Sequence, residues 1–148
     1  MTPTRRETIW SSVAIGRGTL RREVAYVEPR DRSPHVRVRS VDPETEGHRG
    51  SLFLYEPECQ LLLRAVADLN AGVRDRRTVG VVPFGTRRFL RVDVDHPRGR
   101  GPALFVRLQA EDGAPFGRDL IFVSYELEGL ENAAREVLAA GNGVSNGN

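Results

Sequence analysis

Arg17-Gly-Thr-Leu-Arg-Arg-Glu-Val24 and Arg87-Arg-Phe-Leu-Arg-Val-Asp-Val94 are two renderings of one strand. Arg17, Leu20, Arg21 and Val24 return as Arg87, Leu90, Arg91 and Val94, and Val36 and Arg37 return as Val106 and Arg107. Each pair is 70 residues apart (87 − 17 = 70), and Glu23 answers Asp93 at the same offset. A period of about 70 is too long for a solenoid, and two copies are too few. It suits one supersecondary unit duplicated and fused, so that two halves complete each other about a pseudo-two-fold axis.

Working outward from the repeated strand, each half predicts four strands and a helix. In the first half the strands are Thr8–Ile15, Thr19–Val27, His35–Val41 and Gly50–Tyr55. Gly16-Arg17-Gly18 supplies the first turn, because glycine accepts positive φ at no steric cost. Pro29 to Pro34 and Asp42 to Gly47 are loops. Val36 and Val38 alternate with Arg37 and Arg39, the period of a half-buried strand. Pro57 suits the start of a helix, Cys59, Leu62, Val66 and Leu69 keep helical spacing, and Gly72 suits its C′ stop. The second half predicts strands Thr78–Phe84, Arg88–Asp95, Leu104–Ala110 and Asp119–Ser124, with a turn at Gly85 and a break at Gly113-Ala114-Pro115. Its helix is expected over Leu127–Ala140, closed by Gly141. The fold class is therefore α+β: antiparallel sheets with helices packed on one face. Residues 7–73 and 76–141 form the two repeats of one domain, with tails at 1–6 and 142–148, the latter disordered for want of anything to bury. Seventy residues is marginal for an independent domain, so the halves are expected to pack as one body, with exchange of helices or edge strands as one route.

The chain has 148 residues, and all 22 of its basic residues are arginine. The net charge of +2 hides a polarised distribution. Residues 5–39 hold nine Arg and four acids; residues 40–72 hold two Arg and six acids. The split repeats, with eight Arg and two acids over 76–107 and two Arg and seven acids over 108–140. Fields of this kind steer polyanions. No apolar run approaches the ~18 residues of a membrane span, and MTPTRRETIW has no apolar core of a secretory signal. One cysteine, Cys59, excludes an internal disulfide and fits a reducing, cytoplasmic setting.

Outward positions on strands 2 and 3 are Arg21, Glu23, Arg37 and Arg39, answered by Arg91, Asp93, Arg107 and Gln109. Strand 4 places Phe53 outward with Tyr55 beside it, and Phe122 matches Phe53. Arginine contacts phosphate and stacks on bases, and aromatic faces stack on unpaired bases. Such a face suits single-stranded DNA or RNA. Phe53 and Phe122 are equally accounted for as rings buried between the two halves, and the alternative for the arginines is solvated surface paired with Glu23, Asp93 and their neighbours. Arg22 falls on the core face of strand 2, which calls for a strand bend or an internal ion pair.

Glu7-Thr-Ile-Trp-Ser-Ser-Val13, then Gly16-Arg17, then a strand ending Glu23-Val24, resembles the PUR-repeat family of single-stranded nucleic-acid-binding proteins. Arg87 to Val94, and Ser51-Leu-Phe-Leu54 running into a helix at Pro57, resemble it too, and the resemblance covers residues 7–140. It implies a Whirly-related fold, an intramolecular dimer of two repeats, and binding on basic, partly aromatic sheet faces. The positions that match are Arg17, Arg21, Arg37, Arg39, Arg87, Arg91 and Arg107. Further self-association is left open.

No catalytic or cofactor pattern emerges. His35, His48 and His96 lack metal-ligand spacing, and Gly16-x-Gly18 lacks the third glycine of a dinucleotide loop. The expectation is a non-enzymatic protein without cofactor or metal. The alternative is a protein-interaction or dimerisation module of the same fold.

Overall fold

The computed structural model describes residues 4–15, 20–41, 48–96, 99, 101–117 and 119–146. Among them, two runs of four strands and a helix follow one another. The first is β1 (Thr4–Ile15), β2 (Leu20–Pro29), β3 (His35–Val41), β4 (His48–Leu54) and α1 (Glu56–Asn70). The second is β5 (Arg77–Pro83), β6 (Arg88–Asp95), β7 (Ala103–Ala110), β8 (Leu120–Val123) and α2 (Ser124–Asn146). Each set of strands is an antiparallel meander, in the order β1-β2-β3-β4 and β5-β6-β7-β8. The α+β class and the element order are those expected from the sequence.

The repeat offset is not. Val24 faces Val38 and Val36 faces Leu54 in the first sheet. Val92 faces Val106 and Leu104 faces Phe122 in the second. Equivalent residues are therefore 68 apart (92 − 24, 104 − 36 and 122 − 54 all give 68), and the helices start at the same offset, Glu56 and Ser124. The residues shared at 70 lie two positions out of step. A shift of two leaves every side chain on its own face, because strand side chains alternate with period two. Sequence identity thus tracked the face and missed the register.

The even-numbered positions form the core faces. Val24, Tyr26, Val36, Val38 and Leu54 are buried in the first sheet, and Leu90, Val92, Val94, Leu104, Val106 and Phe122 in the second. Arg22 is buried on the core face too. A register shift in β1 between Ser11 and Ala14 lies opposite it, so the expected irregularity falls in the partner strand.

The chain divides into two compact units, 1–59 with 129–148, and 60–128. Both boundaries fall inside helices, so the helices are exchanged. The first sheet shares its unit with α2, whose Leu130, Ala133, Ala134 and Val137 are buried. The second sheet shares its unit with α1, whose Leu61, Leu62, Ala65 and Val66 are buried. Within that second unit α1 comes close to β5: Arg77 pairs with Asp68 at 2.8 Å, and a Cβ on Gly80 would stand 2.7 Å from Leu61 Cδ1.

Both helices start with the same device. The Tyr55 N–H donates to Glu58 Oε1 at 2.8 Å, and the Val123 N–H donates to Glu126 Oε1 at 3.2 Å. Each glutamate sits at N3 and satisfies the N-cap amide, where its charge also suits the helix dipole. Gly72 ends α1 as expected: at φ +94° it donates to the Leu69 carbonyl while Val73 donates to that of Asp68, a Schellman closure. Gly141 does not end α2, which continues to Asn146. Residues 4–6 and 142–146, taken as tails on sequence, belong to β1 and α2.

Candidate functional site

The odd-numbered positions form the opposite faces, buried at Ala25, Val27, His35, Asp93 and Ala103, and on them Arg37, Arg39, Arg91 and Arg107 are held by carboxylates. In the first sheet Arg37 donates to Glu7, and Arg39 donates to Glu23 at 3.1 Å. Glu23 and Arg39 are directly opposed across β2 and β3. In the second sheet the position equivalent to Glu23 is Arg91, which directly opposes Arg107. Like charges so placed repel, and each is relieved by its own acid. Arg91 donates to both oxygens of Asp93 at 2.9 and 3.0 Å, and Arg107 to both oxygens of Asp119 at 2.9 and 3.1 Å. Arg76 reaches Asp93 as well, at 3.4 Å, with its guanidinium over the Phe105 ring.

The titration behaviour follows. Burial pushes the Asp93 carboxyl up, but hydrogen bonds from Arg91 and Thr78 and the charges of Arg91 and Arg76 outweigh it and hold it below the usual range. The hydrogen bond and charge of Asp119 raise Arg107 further. These bidentate pairs are the strong form of the interaction.

The ten residues singled out on sequence therefore separate. Arg37, Arg39, Arg91 and Arg107 face outward as expected but are tied to acids. Phe122 is a correction: it is 0 % exposed and faces Leu104 on the core side of the second sheet. Ile121, one residue earlier, occupies the outward position equivalent to Phe53 and is exposed. Phe53 and Tyr55 are outward, at 43 % and 36 % exposure. Arg87 is exposed in the β5–β6 turn. Arg21 lies on β2, with its side chain outside the described residues, and Arg17 lies outside them altogether.

Phe53 and Tyr55 gain a third ring that sequence did not assign. His35, buried at the start of β3, meets Phe53 edge-on at 5.4 Å and Tyr55 at 5.3 Å between centroids. Burial lowers the His35 pKa; the Ser33 carbonyl opposes this, and the charges of Arg32 and Arg37 reinforce it. Beside the rings is a hollow of about 820 Å³, lined by Arg30, Arg32, Ser33, Tyr55, Glu56 and Val137 among others. Arg30 and Arg32 are exposed. The signal for them was present in Pro29-Arg-Asp-Arg-Ser-Pro34, a proline-bracketed loop that sets two arginines apart from the strands. Nothing comparable flagged His35, whose importance comes from cross-strand neighbours.

Among the described residues no three His, Cys, Asp or Glu gather as a metal site, and no helix is long and apolar enough to cross a membrane. Cys59 is buried, and burial pushes its thiol far above the ordinary range, so it is packing rather than a nucleophile. Comparison with known proteins finds no matching family, no matching curated protein and no matching solved structure.

Proposed function

We propose that this chain binds single-stranded DNA or RNA, without enzymatic activity or cofactor. In this reading the two repeats make a PUR-like, Whirly-related intramolecular dimer about a pseudo-two-fold axis, acting in the cytoplasm. The observation that carries it is the three-ring ledge of Phe53, Tyr55 and His35 with the exposed Arg30 and Arg32 at its border. Rings stack on unpaired bases and guanidinium groups take phosphates, with little choice of sequence. The binding surface is then the end of the first sheet, where Arg30 is exposed and Arg32 makes a long, exposed contact of 3.8 Å with Asp31, rather than the middle of either face, where closer carboxylates occupy the arginines.

A polarisation titration of fluorescein-labelled single-stranded and duplex oligonucleotides at low salt tests this. Single strands should bind more tightly than duplex, with affinity falling as salt rises. Tyr55→Ala should lose about 5- to 150-fold, the equivalent of ~1–3 kcal/mol per stacked base. Equal binding of duplex, or none at low salt, would refute the proposal.

One observation favours a second reading, a protein-interaction module. Ion-paired faces bearing exposed Phe53, Ile9, Val81 and Ile121 are less basic than the sequence implied and carry apolar surface. Sedimentation separates the readings: an interaction module would recruit a protein partner with affinity unaffected by competing oligonucleotide.

A further inference from the structure

We infer a second nucleotide site in the unit formed by residues 60–128, at the cleft between the β5–β6 turn and the segment after β7; the inference rests on the single-strand reading above. The cleft is about 530 Å³ and is lined by Thr86, Arg87, Arg88, Glu111, Asp112 and Phe116, among others.

Its cation is presented at a conformational cost. Arg87 has φ +57°, the sole positive φ of a non-glycine among the described residues. A left-handed arginine is unfavourable where glycine would be free of strain. Phe84 N–H donating to the Arg88 carbonyl at 2.9 Å closes the turn and holds Arg87 there. A strained, exposed arginine at a cleft is where function is expected to replace comfort.

Its ring is placed by a separate device. After β7 the chain turns through Gly113 at φ +88°, Ala114 N–H donates to Asp112 Oδ1, and Phe116 N–H donates to the Leu108 carbonyl at 2.7 Å. The segment so folded back lays Phe116 under the Arg88 guanidinium, 4.8 Å from the ring centroid, with the ring still 46 % exposed. One partner is thus a cation and the remaining exposure is open to a second flat group.

The charge pattern selects the ligand class. Arg87 stands on the turn, and the exposed Glu111 and Asp112 stand at the end of β7. A bare polyanion would meet repulsion from those carboxylates. A nucleotide carries both complements, a phosphate for Arg87 and a base whose ring N–H can donate to Glu111 while its face stacks on Phe116.

Titrating a fluorescein-labelled oligothymidylate against the full chain tests the inference. Arg87→Gly should weaken binding and flatten the salt dependence by about 0.7 in log–log slope, the value for one single-strand phosphate contact. It should leave the melting temperature unchanged or raised, because glycine accepts the turn. Phe116→Leu should weaken binding at least about 5-fold. Unchanged affinity in either variant, a lowered melting temperature in Arg87→Gly, or competition by polyglutamate equal to that by unlabelled oligothymidylate would overturn the site. If Tyr55→Ala weakens binding and these variants do not, this site alone falls. If the wild-type chain binds no oligonucleotide at low salt, the single-strand reading falls with it.

Discussion

Truncating Phe122 should unfold this protein far more readily than truncating Phe53, although both are phenylalanines in fourth strands. Phe122 is fully buried opposite Leu104, and Phe53 is 43 % exposed opposite Arg37. Phe122→Ala removes a filled volume from the second core and should cost about 3–5 kcal/mol. Against a total stability of roughly 5–15 kcal/mol this is a large fraction. At about 2–4 °C per kcal/mol for a chain of this size, the melting temperature should fall by roughly 6–20 °C. Phe53→Ala forfeits burial of only about half a side chain, roughly 0.8–1.5 kcal/mol from a full value of about 1.5–3. Ile121→Ala, exposed like Phe53, should cost about 1 kcal/mol. Guanidinium denaturation followed by far-ultraviolet circular dichroism gives midpoint and slope for all three. A register slip of one residue in β8 would bring Ile121 inward and turn Phe122 out. The reverse ordering, Ile121→Ala severe and Phe122→Ala mild, would therefore refute the register of the second sheet.

Asp119→Asn should release Arg107 to face Arg91 unrelieved, costing about 0.5–1.5 kcal/mol for a partly exposed pair; under the single-strand reading it should also tighten oligonucleotide binding, and a weakened affinity would count against that reading. His35 should make stability fall as pH drops below about 6.5. Its folded pKa is lowered, chiefly by burial. The unfolded chain therefore binds more protons in that window, so stability rises with pH there. Urea midpoints across pH should show this limb, and His35→Gln should lose it; an identical limb in the variant would show that another group is responsible. Gly80→Val should destabilise by about 1–3 kcal/mol, because its first methyl position is already filled by Leu61 and a branched side chain adds more. Gly80→Ala should be much milder, as only the flexible end of Leu61 must yield, and equal midpoints for Val and the wild type would contradict the close approach of α1 to β5.

Periodicity made much of this fold legible. Val36-Arg37-Val38-Arg39 declared its faces by alternation alone, and Gly72 and Gly85 marked a helix stop and a turn that require positive φ. What was lost was register. Arg37 and Arg107 look equivalent at an offset of 70, yet the equivalent of Arg107 is Arg39. Phe122 falls on the wrong face for the same reason: the matching phenylalanine of strand 4 invites alignment with Phe53, and β8 is only four residues long, too short for alternation to decide its face. Pairing of the arginines with Glu23 and Asp93 was legible as the alternative reading, whereas that of Arg37 with Glu7 was not, because it joins strands 30 residues apart. Gly141 failed as a stop signal because nothing in its neighbourhood requires left-handed backbone there, and α2 runs past it.

The crossing of the helices sets a timetable for synthesis. The first sheet is complete once Leu54 has left the ribosome, but the helix that shares its unit with Val24, Tyr26, Val36 and Val38 is α2, which starts only at Ser124. At roughly 5–20 residues per second that element begins to follow several seconds later. Throughout that interval a β-rich apolar surface waits uncovered, so a ribosome stalled near Gly72 would release a nascent chain prone to clump and dependent on chaperones.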